Sequence, residues 1–202
     1  MRWESLFDDL EAQLGDALES EERDLHLLRE RQRQAALTLR DRLVDLARPE
    51  NGQMRSFVLA LRQGGRLRVC PLSFGKDWFA AALPDVPGDV QAIVPLAAVA
   101  SIHLPASDGH VRGEGPGAAE AGASGRIRIA DRIGLGIMLR DLARRRVSLD
   151  LVLAGETVHG TLDQVGADHL EVAAHDPDTA RRASAVIDRR LIPLSAVEWV
   201  RL

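Results

Sequence analysis

Ile93-Val94-Pro95-Leu96-Ala97-Ala98-Val99 and Leu191-Ile192-Pro193-Leu194-Ser195-Ala196-Val197 are two versions of one seven-residue phrase, and each ends a β-rich stretch. A matching turn lies upstream of each, Gly75-Lys76-Asp77-Trp78-Phe79 in one and Gly166-Ala167-Asp168-His169-Leu170 in the other. A phrase that recurs with its turn marks a repeated supersecondary unit. Two copies of a small β unit are therefore expected, rather than one large irregular sheet.

Working outward from the first phrase, residues 54–104 read as five strands. Phe57, Leu59 and Leu61 alternate with Val58, Ala60 and Arg62, the two-residue period of a half-buried strand. Leu67 to Leu72, Trp78 to Leu83, Val90 to Val94 and Val99 to Leu104 supply the others. Gln63-Gly64-Gly65 and the run Pro84 to Asp89 provide the breaks. Around the second phrase, Val147, Leu149, Leu151 and Leu153 alternate with Ser148, Asp150, Val152 and Ala154, and Gly155-Glu156 turns the chain. Val158 to Leu162, His169 to Ala174, Ala185 to Ile192 and Val197 to Leu202 follow. Gly160 in the middle of its strand signals a bend or bulge. Residues 127–146 read as a helix with Ile129, Ile133, Ile137, Leu139 and Leu142 inward; Gly134 and Gly136 suggest a tight approach to another element.

Residues 1–50 read as helical. Trp3, Leu6, Phe7, Leu10, Leu14 and Leu18 recur at helical spacing, and Leu25, Leu28, Leu39, Leu43 and Leu46 continue the stripe. Ser20 offers a cap for a second helix, so a helical arm or a two-helix hairpin is expected, with Pro49 ending it. Residues 1–24 carry nine acidic side chains against two arginines, and 25–48 carry six arginines against three acids. Residues 105–126, rich in Gly, Ala, Ser and Pro, read as a flexible linker.

The expected fold class is α+β: the helical region, a first five-stranded unit over 54–104, the linker, and a helix plus a second five-stranded unit over 127–202. Of the 26 basic side chains only Lys76 is lysine and tyrosine is absent, a bias of GC-rich bacterial coding that weakens arginine as evidence of phosphate binding. The net charge of −4 points the same way. Cys70 is the single cysteine, which excludes an internal disulfide framework and a multi-cysteine metal site. Charge interrupts every apolar run before the ~18 residues of a membrane span. The start, Met1-Arg2-Trp3-Glu4-Ser5, lacks the positive region of a signal peptide. A cytoplasmic protein without membrane contact is expected.

One helix before five short bent strands, with Gly160-Thr161-Leu162 ahead of a turn and the Pro193 phrase at the end, resembles the Sm-like (LSm) small β-barrel. The resemblance covers 127–202 and, less closely, the first unit. Other small barrels, the PRC type among them, end in a similar Pro-Leu-x-x-Val phrase. The resemblance implies two five-stranded barrel units that pair edge to edge, with Trp199 and Val197 of the last strand at the interface; Trp3 and Phe7 of the helical arm are further interface candidates. It also implies a uridine-RNA site, and here the chain departs from the family. Gly160, Leu162 and Val165 keep the apolar frame of the first motif. Gly166 replaces its Asp, and Glu171, or Ala80 in the first unit, stands for its Asn. Pro193-Leu194 and Pro95-Leu96 replace the Arg-Gly of the second motif.

Candidate chemistry elsewhere is sparse. His159, His169 and His175 with Asp163, Asp168 and Asp176 are the one dense polar group, without zinc-ligand spacing, and read as surface turn residues. Cys70 reads as an inert buried thiol. No nucleophile elbow, phosphate loop or dinucleotide fingerprint is present. The chain is read as non-enzymatic, without cofactor or metal. Arg144, Arg145, Arg146, Arg181, Arg182, Arg189 and Arg190 are the candidate nucleic-acid contacts. The expected role is a non-catalytic scaffold that assembles with itself, as a homodimer or small oligomer, or with another protein. The alternative is an RNA- or DNA-binding regulator with a divergent Sm-like site.

Overall fold

A computed structural model of the chain describes residues 23–49, 55–104, 129–177 and 186–202. The linker expected over 105–126, together with Trp3, Phe7, Ser20, Arg181 and Arg182, lies outside these residues. The chain divides into two units, Met1–Arg42 and Leu43–Leu202.

In the first unit a helix, α1, occupies 23–36. It is broken at Leu37–Thr38, where the chain restarts as α2 (Leu39–Leu46). The restart is a reciprocal cap. The Asp41 backbone N–H donates to Thr38 Oγ1 at 3.2 Å, and the Thr38 N–H and hydroxyl donate to Asp41 Oδ2 at 3.0 and 2.6 Å. These bonds satisfy donors that the first helical turn leaves free. The Thr38 hydroxyl and amide also hold the Asp41 carboxyl below the ordinary Asp range. Leu25, Leu28 and Leu39 of the expected apolar stripe are exposed, whereas Leu43 is fully buried in the second unit.

The second unit is built on ten antiparallel strands: β1 (Phe57–Leu61), β2 (Arg66–Phe74), β3 (Trp78–Ala82), β4 (Gln91–Pro95), β5 (Val99–His103), β6 (Ser148–Leu153), β7 (Glu156–Val165), β8 (His169–Ala174), β9 (Asp188–Pro193) and β10 (Trp199–Arg201). They form one open sheet in the order β5-β1-β2-β3-β4-β10-β6-β7-β8-β9. The repeat is plain in that order. Each set of five runs last strand, first, second, third, fourth, and the fourth strand of the first set pairs with the last strand of the second. The class is mixed α+β.

The repeated phrase performs the same bend twice. Pro95 (φ −63°, ψ 133°) and Pro193 (φ −59°, ψ 137°) each end a strand, and a 3₁₀ turn follows (Leu96–Ala98, Leu194–Ala196). Val99 and Val197 then resume extended backbone. The repeated turns match as well. The Gly75 N–H donates to the Trp78 carbonyl at 2.8 Å and the Gly166 N–H to that of His169 at 2.9 Å. Each turn is stitched to its own phrase, Leu96 N–H to the Asp77 carbonyl at 2.9 Å and Leu194 N–H to that of Asp168 at 2.7 Å. In both halves the second strand carries a bulge, between Pro71 and Ser73 in β2 and between Leu162 and Gln164 in β7. A bulge tightens local twist and bends the strand.

Two apolar cores lie along this sheet. One gathers Leu43, Phe57, Leu59, Val69, Phe79 and Val94; the other gathers Leu135, Leu139, Leu149, Leu151, Leu162, Leu170 and Val200. The helix preceding the second half is shorter than the pattern predicts: a 3₁₀ turn at Ile129–Arg132, then α3 at Leu135–Arg145. Asp77 sets that start, because its Oδ1 accepts from the Leu135 N–H at 2.7 Å, and the Trp78 indole N–H donates to the Ile133 carbonyl at 2.9 Å. With Leu135 as the first helical residue, Leu135 and Leu139 face the core. Ile137, expected inward, is 56% exposed on the opposite side.

The tight approach expected at Gly134 and Gly136 is absent. An added Cβ there would meet its nearest atoms at 3.7 and 3.9 Å, ordinary contacts. The crowded glycines are Gly75, where an added Cβ would collide with the Trp78 indole and the Ile133 carbonyl, Gly166, where it would meet the His169 ring, and Gly160, where it would fall on the Ala173 backbone carbonyl of the neighbouring strand. Gly160→Ala should therefore lower unfolding stability by about 1–3 kcal/mol through overpacking. Gly136→Ala should raise it by about 0.5–1 kcal/mol by relieving helix entropy. Urea titrations of the two variants against the parent check both signs.

Candidate functional site

The polar chemistry of the second half follows from hairpin register. Gly155, at φ +77°, closes the tight β6–β7 turn. The pairing counts back from it as Leu153 with Glu156, Asp150 with His159, and Ser148 with Thr161. Leu149 and Leu151 point into the core, so Ser148, Asp150, His159 and Thr161 share the other face.

On that face they form a connected line. The His159 ring donates from Nδ1 to Asp150 Oδ1 at 2.5 Å, and Ser148 Oγ lies 3.0 Å from His159 Nε2. The other Asp150 oxygen accepts from Arg201 Nε at 2.6 Å and from the Arg201 Nη2 group. Burial pushes the Asp150 carboxyl up, but the bonds from His159 and Arg201 outweigh it and hold the group below the ordinary Asp range. Behind this line Thr161, which is buried, lies 3.2 Å from His175 Nε2, and His175 Nδ1 meets the Asp176 carbonyl at 3.1 Å. The two imidazoles touch edge to face, centroids 5.1 Å apart.

The partners assign the protons. A carboxylate and a carbonyl only accept, so Nδ1 carries a hydrogen on both rings, and each Nε2 faces a hydroxyl. Sequence reading placed His159 and His175 among surface turn residues. The structure corrects this: His175 is 5% exposed and His159 sits on a central strand. Only His169 fits the expectation, paired locally with Asp168 at 2.8 Å. The line was legible only through register. Asp150 and His159 are nine positions apart, and nothing but the turn at Gly155 sets them opposite. Among the described residues no cluster of three His, Cys, Asp or Glu side chains is placed to hold a metal ion. Cys70 is half-buried rather than buried.

Among the described residues, the candidate arginines do not converge on a bare cationic patch. Arg144 and Arg145 are exposed and bonded to Asp141 within α3, at 2.6 and 2.7 Å. Arg146 is the left-handed cap that ends the helix. Arg190 is held by Glu156 at 2.8 Å and Asp188 at 3.1 Å, and the Glu156 bond leads in raising its already high pKa. Arg189 and Arg190 line a shallow cleft of about 230 Å³ with Asp163, Glu171, Val172 and Leu191. Its charge is mixed, and Glu171 stands inside it.

Trp199 lies within the chain's own sheet, and Val197 just precedes it, after the 3₁₀ turn. Val197 is a core residue, 2% exposed. Trp199, on β10, packs against the core of the first half, while Ile93, on β4, is buried in the core of the second. Side chains thus cross the β4–β10 seam in both directions, Ile93 and Trp78 into the second core and Trp199 against the first. Glu198 adds a polar tie: it is 6% exposed, and its carboxylate accepts from the Gln63 N–H of the β1–β2 turn at 3.0 Å.

No protein-family model, no curated protein and no solved structure matches this chain.

Because the folded Asp150 pKa is depressed, the group adds stability above its unfolded value of about 3.9 and loses it as pH falls through the folded value. Asp150→Asn should cost about 1.5–3 kcal/mol near neutral pH. It should also flatten the acid limb of the stability curve, readable as chemical denaturation across pH 2–7. A variant with the parent's acid dependence would show that another carboxylate governs it.

Proposed function

We propose that this protein is a non-catalytic assembly module made of two divergent Sm-like units, and that it self-associates by joining sheet edges. The observation that carries this reading is the β4–β10 pairing inside the chain. There the fourth strand of one unit meets the last strand of the next, with Val200 opposite Ile93 and Arg201 opposite Ala92. The two strands with one partner each among the described residues are β5 and β9, a last strand and a fourth strand of the same kind. Unpaired strand edges are templates for further pairing, and a head-to-tail contact of unlike edges extends or closes a ring.

Equivalence supplies the register. Leu191 corresponds to Ile93, and Ile102 to Val200, so β5 of a second copy would set Ile102 opposite Leu191 and His103 opposite Arg190. Leu191 is 67% exposed on the free edge, although its counterpart Ile93 is 3% exposed. The β5 edge is the weaker partner, since Ser101 and Ala100 occupy the places of Trp199 and Glu198. A small, reversible oligomer follows, rather than an obligate one.

Light scattering at micromolar concentrations should give a mass above one chain. Leu191→Asp should move it towards the monomer and Ser101→Trp away from it. A strictly monomeric parent at all concentrations rejects the reading. The nucleic-acid alternative makes a different forecast. With Glu171 in the cleft and Arg190 held by acids, uridine oligomers should bind no better than adenine ones, and residual binding should fall steeply with salt. Tight, uridine-selective binding at physiological salt would replace assembly by RNA recognition.

A further inference from the structure

We propose that Ser148 is an activated hydroxyl that accepts an acyl group from an activated ester or thioester, with His159 as its base. This goes beyond assembly and does not depend on it.

Three observations carry it. The first is the connected order: hydroxyl, Nε2, Nδ1–H, carboxylate, at 3.0 and 2.5 Å. A general base must lie within about 2.6–3.2 Å of the proton it removes, and a third group must hold its tautomer. Asp150 does the holding and is itself fixed from the far side by Arg201.

The second is the repeat, which serves as an internal control. In the first half Val58 pairs with Arg68 and with His103, as Asp150 pairs with His159 and Arg201 in the second. The same ladder is therefore made with an apolar residue at the carboxylate's place and an arginine at the imidazole's. The backbone does not require the line, which is a feature of the second half alone.

The third is access. Ser148 is exposed at the start of β6, whereas Thr161, which meets His175 in the same way, is 2% exposed. Two hydroxyls face two imidazole bases, and only Ser148 is open to a reagent. The charged and titratable groups around His159 are Asp150 below it, Arg201 beyond Asp150, and His175 at its edge.

In the step itself, Ser148 Oγ attacks the acyl carbon while His159 Nε2 takes the hydroxyl proton. The new Oγ–C bond replaces the bond to the leaving alkoxide or thiolate, which then receives that proton. No redox partner enters. Ser148 does not line the cleft described above, so the inference is of stoichiometric acyl acceptance, without rapid turnover.

The test uses the full chain and p-nitrophenyl acetate. Expected are a burst of nitrophenolate, acetylation mapped to Ser148, loss of both in Ser148→Ala, and slowing by about 100-fold or more in His159→Gln. Exposed Ser73 of the same molecules, on the internal strand β2, gives a comparison that needs no variant to fold. Acetylation of Ser148 no faster than that of Ser73, or unchanged in a folded His159→Gln protein, overturns the inference.

Discussion

β10 is three residues long, yet the sheet is continuous because this strand is paired on both sides, to β4 and to β6. A strand that short cannot stand on its own ladder. What fixes it is the exchange of Ile93 and Trp199 between the two cores, with the Glu198 carboxylate bound to the Gln63 amide at the rim. Fully burying a side chain of Ile size is worth about 1.5–3 kcal/mol, and a buried carboxylate must find donors or be expelled. Both demands are met at one seam. Remove them and two half-sheets with four bare edges remain.

Much of this was legible in the sequence, for local reasons. Every strand falls within a few residues of the apolar stretch that marks it, because apolar runs bounded by turn residues are a property of neighbours in the chain. The repeated phrase was informative because proline, a small-residue turn and a β-branched valine dictate the same dihedral sequence wherever they recur. The break at Leu37–Thr38 was equally local, a Thr with an Asp three residues on, but it was overshadowed by the acidic run near Ser20.

What the sequence withheld is long-range. That two units share one open sheet depends on which strand meets β4, a choice made by side chains about a hundred positions apart. The start of α3 depends on Asp77, 58 positions away. The Ser148–His159–Asp150 line hides in ordinary alternation until hairpin register is known. The halves also differ where the repeat would predict sameness: Val58, Arg68 and His103 against Asp150, His159 and Arg201. One backbone has been filled once with an apolar residue between solvated ones and once with a connected polar line.

The seam also bears on what the covalent connection between the halves contributes. The two halves meet through the short β4–β10 pairing, core side chains that cross it and a buried carboxylate, with Asp77 and Trp78 anchoring the approach to α3. These contacts belong to an interface, and the peptide that joins the halves acts on it by raising effective concentration. Were the chain cut between the halves, the same contacts would form the surface through which the two pieces met.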